Sequence, residues 1–263
     1  MTRLIDLTRT LSNVDKSSFS AQLYPLLRII APDIEYVDHA MGAKIMQLLF
    51  KCSSDDLPEG EGWAEENITM SSHLGTHVDA PWHYGSTCEG KPAKTVDELP
   101  LEDLYCNAVV LDLSHRRATG TAITIDDLKA ALDKVSYKIQ PGDAILIRTD
   151  NDKFELNDER RYNYPGMTRE STLWIAEQGA KIGGTDAFAW DRPFHVMIEN
   201  FQRTRDKSNI WDAHFACREK ELYVVQQLTN LESLPHHGFK VGFFPIKLAR
   251  ASSAPARVVA FID

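Results

Sequence analysis

The segment SSHLGTHVDAPWHYG, residues 71–85, concentrates side chains that can bind a metal ion. It holds His73, His77 and His83, three of the nine histidines in the chain, together with the acid Asp79. Two imidazoles and one carboxylate are a common ligand set for a metal site that leaves positions free for water and substrate. We therefore predict His73, His77 and Asp79 as metal ligands. A metal ion in such a site lowers the pKa of its bound water and polarises a carbonyl group, which is hydrolytic chemistry.

The third histidine of the segment, His83, is predicted to have a different role. A neutral imidazole beside a metal-bound water carries protons well near pH 7. The alternative is that all four residues are ordinary polar residues of a loop. Three histidines and an acid within eleven residues make that alternative the weaker one.

The local sequence predicts an extended backbone rather than a helix around these residues. Gly75 and Pro81 both oppose helix formation, although His77 follows His73 at helical spacing. In an extended segment His77 and Asp79 point to the same side, because side chains alternate along a strand. A bend at Gly75 would let His73 join them.

The elements that must position this cluster alternate between strands and helices in the second half of the chain. This alternation predicts a mixed α/β domain. No internal repeat or Pro/Ser-rich linker interrupts the sequence, so one continuous domain over residues 1–263 is expected. The patterns predict strands over 4–7, 107–113, 144–150, 181–186, 222–228, 239–246 and 257–262, and helices over 124–134, 169–178 and 211–220.

Composition excludes several classes of function. Of the 263 residues, 43% are hydrophobic and 25% are charged, which is typical of a globular protein with a substantial core. The net charge of −9 argues against a nucleic-acid binder and against an anionic-membrane binder. No signal peptide is recognisable, and the four cysteines form no CxxC pair. We therefore expect a cytoplasmic protein with reduced thiols that acts on a small-molecule substrate.

The motif HxGTHxDxPxH, which spans His73 to His83, resembles the signature of the cyclase family of metal-dependent hydrolases. That family includes bacterial kynurenine formamidases and isatin hydrolases. Three further segments are similar to it, GDAILIRT (142–149), GGTDAFAWDRPF (183–194) and FFPIKLARASSAPARVVAFI (243–262), so the resemblance covers nearly the whole chain. It implies an α/β fold, a swivelling β/β/α domain with a barrel-like mixed sheet flanked by helices. It also implies a homo-oligomer, either a dimer or a tetramer.

The resemblance also identifies a departure from the formamidase pattern. In formamidases a histidine is followed twelve residues later by a glutamate, and the two help to hold a second zinc ion. Here His214 is followed at that spacing by Gln226. The neutral amide oxygen of Gln226 favours a single metal ion, which the resemblance to the isatin hydrolase branch also implies. The ligands of that ion would be His73, His77, Asp79 and Gln226. This ligand set suits Mn²⁺, with Zn²⁺ as the alternative. His214 would then be free to contact the substrate, unless Gln226 is only a hydrogen-bonded strand residue.

Aromatic residues could form the walls of a pocket for a flat substrate. Trp63, Trp82 and Phe215 are the predicted substrate-binding residues, with core packing as the alternative for each. Trp82 is the strongest candidate, because it lies between two motif residues. The resemblance implies that Asp186 is a supporting acid rather than a ligand.

Together these observations predict an amidohydrolase, an enzyme acting on carbon–nitrogen bonds other than peptide bonds. The specific expectation is ring opening of isatin to isatinate by a metal-bound water, with His83 carrying the proton and His214 orienting the substrate. Within the same class, the alternatives are N-formylkynurenine hydrolysis and hydrolysis of another small lactone or amide. Outside that class, the alternative is a non-catalytic metal-binding protein on the same fold.

Overall fold

The structure, a computed structural model, describes residues 2–263. Its α-helices are α1 (Leu27–Ile30), α2 (His39–Phe50), α3 (Ile125–Lys134), α4 (Arg169–Glu177), α5 (Phe194–Thr204) and α6 (Asp212–Ala216). Its strands are β1 (Arg3–Asp6), β2 (Asp33–Val37), β3 (Glu65–Thr69), β4 (His77–Asp79), β5 (Thr87–Cys88), β6 (Lys91–Pro92), β7 (Tyr105–Asp112), β8 (Ala122–Ile123), β9 (Ala144–Arg148), β10 (Gly166–Met167), β11 (Ile182–Thr185), β12 (Tyr223–Gln226), β13 (Phe239–Pro245) and β14 (Ser253–Ile262). Short 3₁₀ helices join many of these elements.

The main sheet closes on itself. Its strand order is β1-β14-β13-β7-β9-β11-β12-β4, and β4 also pairs with β14. The strands from β14 to β4 therefore form a barrel-like ring, and β1 is added beside β14. The central strands β7, β9, β11 and β12 run parallel to one another, whereas β4, β13 and β14 pair antiparallel. The predicted mixed, barrel-like sheet flanked by helices is confirmed.

Alternate residues of the central strands contribute to two separate cores. Val110 of β7 and Leu146 of β9 belong to the core inside the barrel. Their neighbours Val109 and Ile145 point the other way and pack with residues of α3 and α4. Strands buried on both faces have continuous apolar sequences, which is why AVVL and AILI could be recognised as strands.

Several predicted helices and strands are confirmed within a residue or two. Helix α3 begins after Thr124, whose side chain accepts a hydrogen bond from Asp127 N, while Asp127 bonds back to the Thr124 backbone. This reciprocal capping box satisfies donors that the first helical turn cannot pair internally. Strand β14 starts at Ser253, four residues before the predicted start at 257.

Two predictions about helices need correction. The helix expected over 211–220 is only α6, residues 212–216, because the chain tightens into turns in which Cys217 N donates to His214 O. Helices α1, α2 and α5 were not predicted. The four cysteines are free, as expected. Within residues 2–263, no helix combines the length and apolar character required to cross a lipid bilayer.

Candidate metal centre and active site

Strand β4 places two candidate ligands side by side. His77 and Asp79 are both buried, and His77 Nε2 lies 3.4 Å from Asp79 Oδ1. Gly75 has a φ of +66°, a left-handed conformation that glycine adopts readily and that bends the chain before the strand. This bend brings His73 Nδ1 to 2.9 Å from Asp79 Oδ1. The extended backbone and the bend at Gly75 are as predicted.

Strand β12 brings Gln226 to the same point. In the antiparallel register Gln226 is opposite His77, and Val224 is opposite Asp79. Directly opposed residues place their side chains on the same face of a sheet. Gln226 Nε2 accordingly lies 2.5 Å from Asp79 Oδ2 and 3.5 Å from His77 Nε2. The structure therefore brings together the four predicted ligands, His73, His77, Asp79 and Gln226.

The donor atoms of this cluster fit a divalent cation. Asp79 Oδ1 is buried, and although His73 Nδ1 lies 2.9 Å away, it makes no well-aligned hydrogen bond within the part of the chain that the structure describes. His77 Nδ1 lies 2.8 Å from Gly75 O, a contact that requires a donor at Nδ1 and leaves the Nε2 lone pair free. Burial opposes ionisation of Asp79, but the neighbouring His83 and His77 hold its pKa well below the usual range. A carboxylate oxygen without a well-aligned hydrogen bond, among imidazole nitrogens, is the arrangement expected around a metal ion.

His83 lies against this cluster. Its ring centroid is 4.0 Å from that of His73, and the candidate ligand atoms of His73, Asp79 and His83 lie within 4.8 Å of one another. Burial lowers the pKa of His83 to about 3, although Asp79 acts in the opposite direction. The imidazole is therefore neutral at pH 7. A proton carrier and a metal ligand both require a neutral imidazole, so the protonation state does not separate these two roles. The role of His83 as proton carrier stays a prediction.

His214 is oriented by an acid that sequence reasoning did not select. Its Nδ1 contacts Asp191 Oδ2, and Asp191 also accepts a hydrogen bond from Ala213 N at 2.8 Å. Burial would lower the pKa of His214, but Asp191 raises it to about 9. The other ring nitrogen, Nε2, lies 3.3 Å from Gln226 Nε2 and 3.7 Å from Asp79 Oδ2. The only sequence signal for Asp191 was its place in the GGTDAFAWDRPF segment.

A cavity of about 810 Å³ opens beside the cluster, and its aromatic wall differs from the predicted one. Phe215 lines it, as expected. Trp211 also lines it and stacks on His214 at 4.4 Å between ring centroids, a contact that the sequence did not indicate. Trp63 and Trp82 are not among the described lining residues, and Trp82 is 45% exposed. Neither predicted tryptophan therefore lines this cavity in the part of the chain that the structure describes.

Asp186 is a buried acid that organises the backbone after β9. It accepts hydrogen bonds from Thr149 N at 2.8 Å and from Asp150 N at 2.9 Å. Burial, together with repulsion from Asp152, raises the pKa of Asp186 to about 7 despite these donors. Carboxylate oxygens of Asp150, Asp152 and Asp186 also lie within 4.8 Å of one another, so the role of Asp186 as a supporting acid rather than a ligand stays a prediction.

The chain is similar to known proteins in both sequence and fold. Residues 5–192 match the family model described as “Putative cyclase”. The chain is 26% identical over 203 residues to a kynurenine formamidase from Erythrobacter litoralis, covering 77% of this chain and 79% of the relative. It is 25% identical over 220 residues to an isatin hydrolase from Roseibium aggregatum, covering 78% and 77%. The solved structure of isatin hydrolase A from Ralstonia solanacearum has the same fold, with a TM-score of 0.74 and 24% identity, and the match covers 100% of this chain and 92% of that one.

Proposed function

The chain belongs to the cyclase family, and from that premise we propose that it is a metal-dependent hydrolase that opens a small cyclic amide. Isatin is the proposed substrate, with isatinate as the product. The observation that carries the proposal is the combination of the buried Asp79 Oδ1, which makes no well-aligned hydrogen bond within the described residues, with an amide, Gln226, at the fourth ligand position. The relatives include both an isatin hydrolase and a kynurenine formamidase, which supports hydrolysis of a carbon–nitrogen bond as the reaction.

Four side chains would hold the ion, namely those of His73, His77, Asp79 and Gln226. The Gln226 amide would have to turn so that its oxygen, instead of the Nε2 that lies 2.5 Å from Asp79 Oδ2, faces the ion. Two nitrogens, one carboxylate and that amide oxygen then form a mixed set that suits Mn²⁺, with Zn²⁺ as the alternative. When bound, a cation supplies polarisation of the amide carbonyl and a lowered pKa for a water molecule. Asp79 is the single anionic member of the set, so the site favours one dication over two.

The chain's own residues perform the proton transfers and hold the substrate. Hydrolysis adds water across the amide bond, with the oxygen going to the carbonyl carbon and a proton going to the leaving nitrogen. His83, whose ring lies beside that of His73, takes the proton of the attacking water and returns it to that nitrogen. His214, held by Asp191, presents Nε2 to the substrate. Trp211 stacks on His214 and excludes water from one side of the reacting group.

N-formylkynurenine hydrolysis is the second candidate, and a specific observation favours it. His214, which corresponds to the first member of the formamidase ligand pair, lies with its Nε2 3.3 Å from Gln226 Nε2. A second metal bound by that pair would support this reaction. The missing charge at Gln226 weakens the pair as a ligand for a second dication. A non-catalytic metal protein is less well supported, because a structural site is closed by its ligands whereas this one faces a large cavity.

The test is hydrolysis of isatin and of N-formylkynurenine side by side, measured by absorbance with manganese-loaded protein. We expect isatin turnover that a chelator abolishes and that manganese restores. Replacement Gln226→Glu should increase the bound metal from one ion towards two, while the exposed control Gln178→Glu should not. Turnover of the formamide alone would overturn the assignment of isatin.

The family resemblance also leads us to propose a homo-oligomer, which light scattering can test.

A further inference from the structure

The cavity beside the metal cluster is larger than a small bicyclic amide requires. Ligand pockets that enclose drug-sized molecules measure roughly 300–1,000 Å³. This cavity, at about 810 Å³, is in the upper part of that range. One part of its surface is made by His73, His77, His83, His214 and Gln226. The rest is mostly apolar, and much of it comes from a single helix, α5.

Helix α5 directs an apolar stripe towards this cavity, although Phe194 at its start also packs against a neighbouring hydrophobic core cluster. Phe194, Met197, Ile198 and Phe201 follow the spacing i, i+3, i+4, i+7, which places them on one face of the helix, and all four line the cavity. Such a stripe normally packs against other elements, yet Met197 is the only buried member and Ile198 is 53% exposed. Solvent exposure of this stripe is unfavourable unless a ligand or another protein surface covers it.

The stripe is continuous with the residues placed around the reacting group. Trp211 N donates a hydrogen bond to Met197 Sδ at 3.4 Å, while the Trp211 ring stacks on His214. Phe215 packs edge-on against Trp211, with ring centroids 5.2 Å apart. An apolar surface therefore runs without interruption from His214 through Trp211 to α5.

We propose that the preferred substrate carries an apolar arm, a further aromatic ring or an alkyl chain of similar size, that lies along α5. The α5 stripe, defined as Phe194, Met197, Ile198 and Phe201, is then the specificity surface for that arm. This inference rests on the proposed function for the identity of the reacting group, but the arm itself can be tested without turnover. Each buried methylene group contributes enough to raise affinity by about fourfold.

The first measurement compares kcat/KM for isatin and for isatin bearing a phenyl group on its benzo ring. We expect the phenyl group to raise kcat/KM about tenfold or more. Phe201→Ala should remove most of that gain and leave isatin itself within about twofold. The matched control is Arg203→Ala, an exposed residue on the same helix that does not line the cavity, and it should preserve the gain.

The second measurement needs neither metal nor catalysis. The probe is N-phenyl-1-naphthylamine, which fluoresces when it enters an apolar site, titrated into metal-free protein. We expect Phe201→Ala to weaken its binding about tenfold and Arg203→Ala to leave it unchanged. If no amide is turned over but the probe responds in this way, the proposed function fails and the arm site stands.

Two results would overturn the arm site. One is that Phe201→Ala changes neither the affinity for the probe nor the preference for the phenyl-bearing substrate. The other is a wild-type oligomer that dissociates in Phe201→Ala, as measured by light scattering. That outcome would mean that a second copy of the chain covers the stripe.

Discussion

His83 has the position of either a proton carrier or a metal ligand, and one substitution separates the two roles. We expect His83→Ala to lower kcat by about 10²–10⁴-fold, the usual contribution of a general acid–base, while metal content stays near the wild-type value. Metal content is measured by elemental analysis and kcat by absorbance. His115→Ala, at an exposed histidine, is the control. Parallel loss of metal and turnover would identify His83 as a ligand instead.

Asp191 positions His214, so its charge should affect activity without affecting metal binding. In Asp191→Asn the pKa of His214 should fall from about 9, because Asp191 is what raises it against burial. Partners of this kind typically contribute about 10–100-fold to activity. We expect a kcat loss of that size, a shifted pH–rate profile and unchanged metal content. Asp206→Asn, at an exposed acid, serves as the control. An unshifted profile would contradict the positioning role.

The raised pKa of Asp186 makes the free energy of unfolding depend on pH. The pKa of Asp186 is about 7 in the folded protein against an ordinary value of 3.8, so between these values the folded state holds a proton that the unfolded state releases. The contribution of this group is present below about pH 4 and is lost as pH rises towards 7.

Asp186→Asn cannot ionise, so we expect its stability relative to wild type to rise between pH 5 and pH 8. This rise is added to a pH-independent loss, because the amide nitrogen cannot accept the backbone hydrogen bonds that the carboxyl group accepts. The rise should be no more than about 4 kcal/mol. Urea unfolding of the metal-free proteins measures it, with Asp133→Asn as an exposed control. A constant difference between the two proteins across that range would mean that Asp186 is ionised throughout.

At the scale of elements, β11 and the segment after it pack too closely for any side chain at Gly183. A Cβ there would lie 2.6 Å from the Trp190 ring, which is fully buried and donates a hydrogen bond to Thr172 Oγ1 at 3.0 Å. This contact anchors the segment that leads to Asp191. We expect Gly183→Ala to destabilise the fold by about 1–3 kcal/mol in urea unfolding.

A double variant identifies crowding as the cause. Trp190→Phe removes the part of the indole ring that a Cβ at Gly183 would meet. Gly183→Ala with Trp190→Phe should therefore lose less stability than the sum of the two single losses. Additive losses would attribute the effect to the strand backbone instead.

At the scale of the whole molecule, the candidate metal centre lies where the barrel closes. Strand β4 is the short closing strand between β12 and β14, and the candidate ligands come from β4, from β12 and from the loop before β4. An ion that binds only the folded state should stabilise the entire ring. Binding at a hundred times Kd contributes about 2.7 kcal/mol.

We therefore expect added Mn²⁺ to raise the melting temperature of metal-free protein, as measured by calorimetry. Asp79→Asn should abolish this rise, because it removes the only anionic ligand, while Asp55→Asn, at an exposed acid, should retain it. A full rise in Asp79→Asn would locate the binding ion elsewhere.

The sequence alone was sufficient for the local part of the site. His73, His77 and Asp79 lie within seven residues, and their arrangement follows from an extended strand preceded by a bend at Gly75. Backbone preferences over a few residues determine such geometry, so spacing predicts it. The apolar sequences of β7 and β9 likewise predicted strands. The unpredicted α5 had a readable signal, apolar residues at helical spacing from Phe194 to Phe201.

Only the tertiary structure decided which distant residues meet that local cluster. Gln226 is opposite His77 because β12 and β4 pair in one particular register, and a shift by one residue would turn the amide away. The contact between His214 and Asp191 and the stacking of Trp211 depend on how α6 packs beside the sheet. Short-range conformational preferences carry no information about which strands pair or which helices pack, because those arrangements are determined by burial across the whole chain.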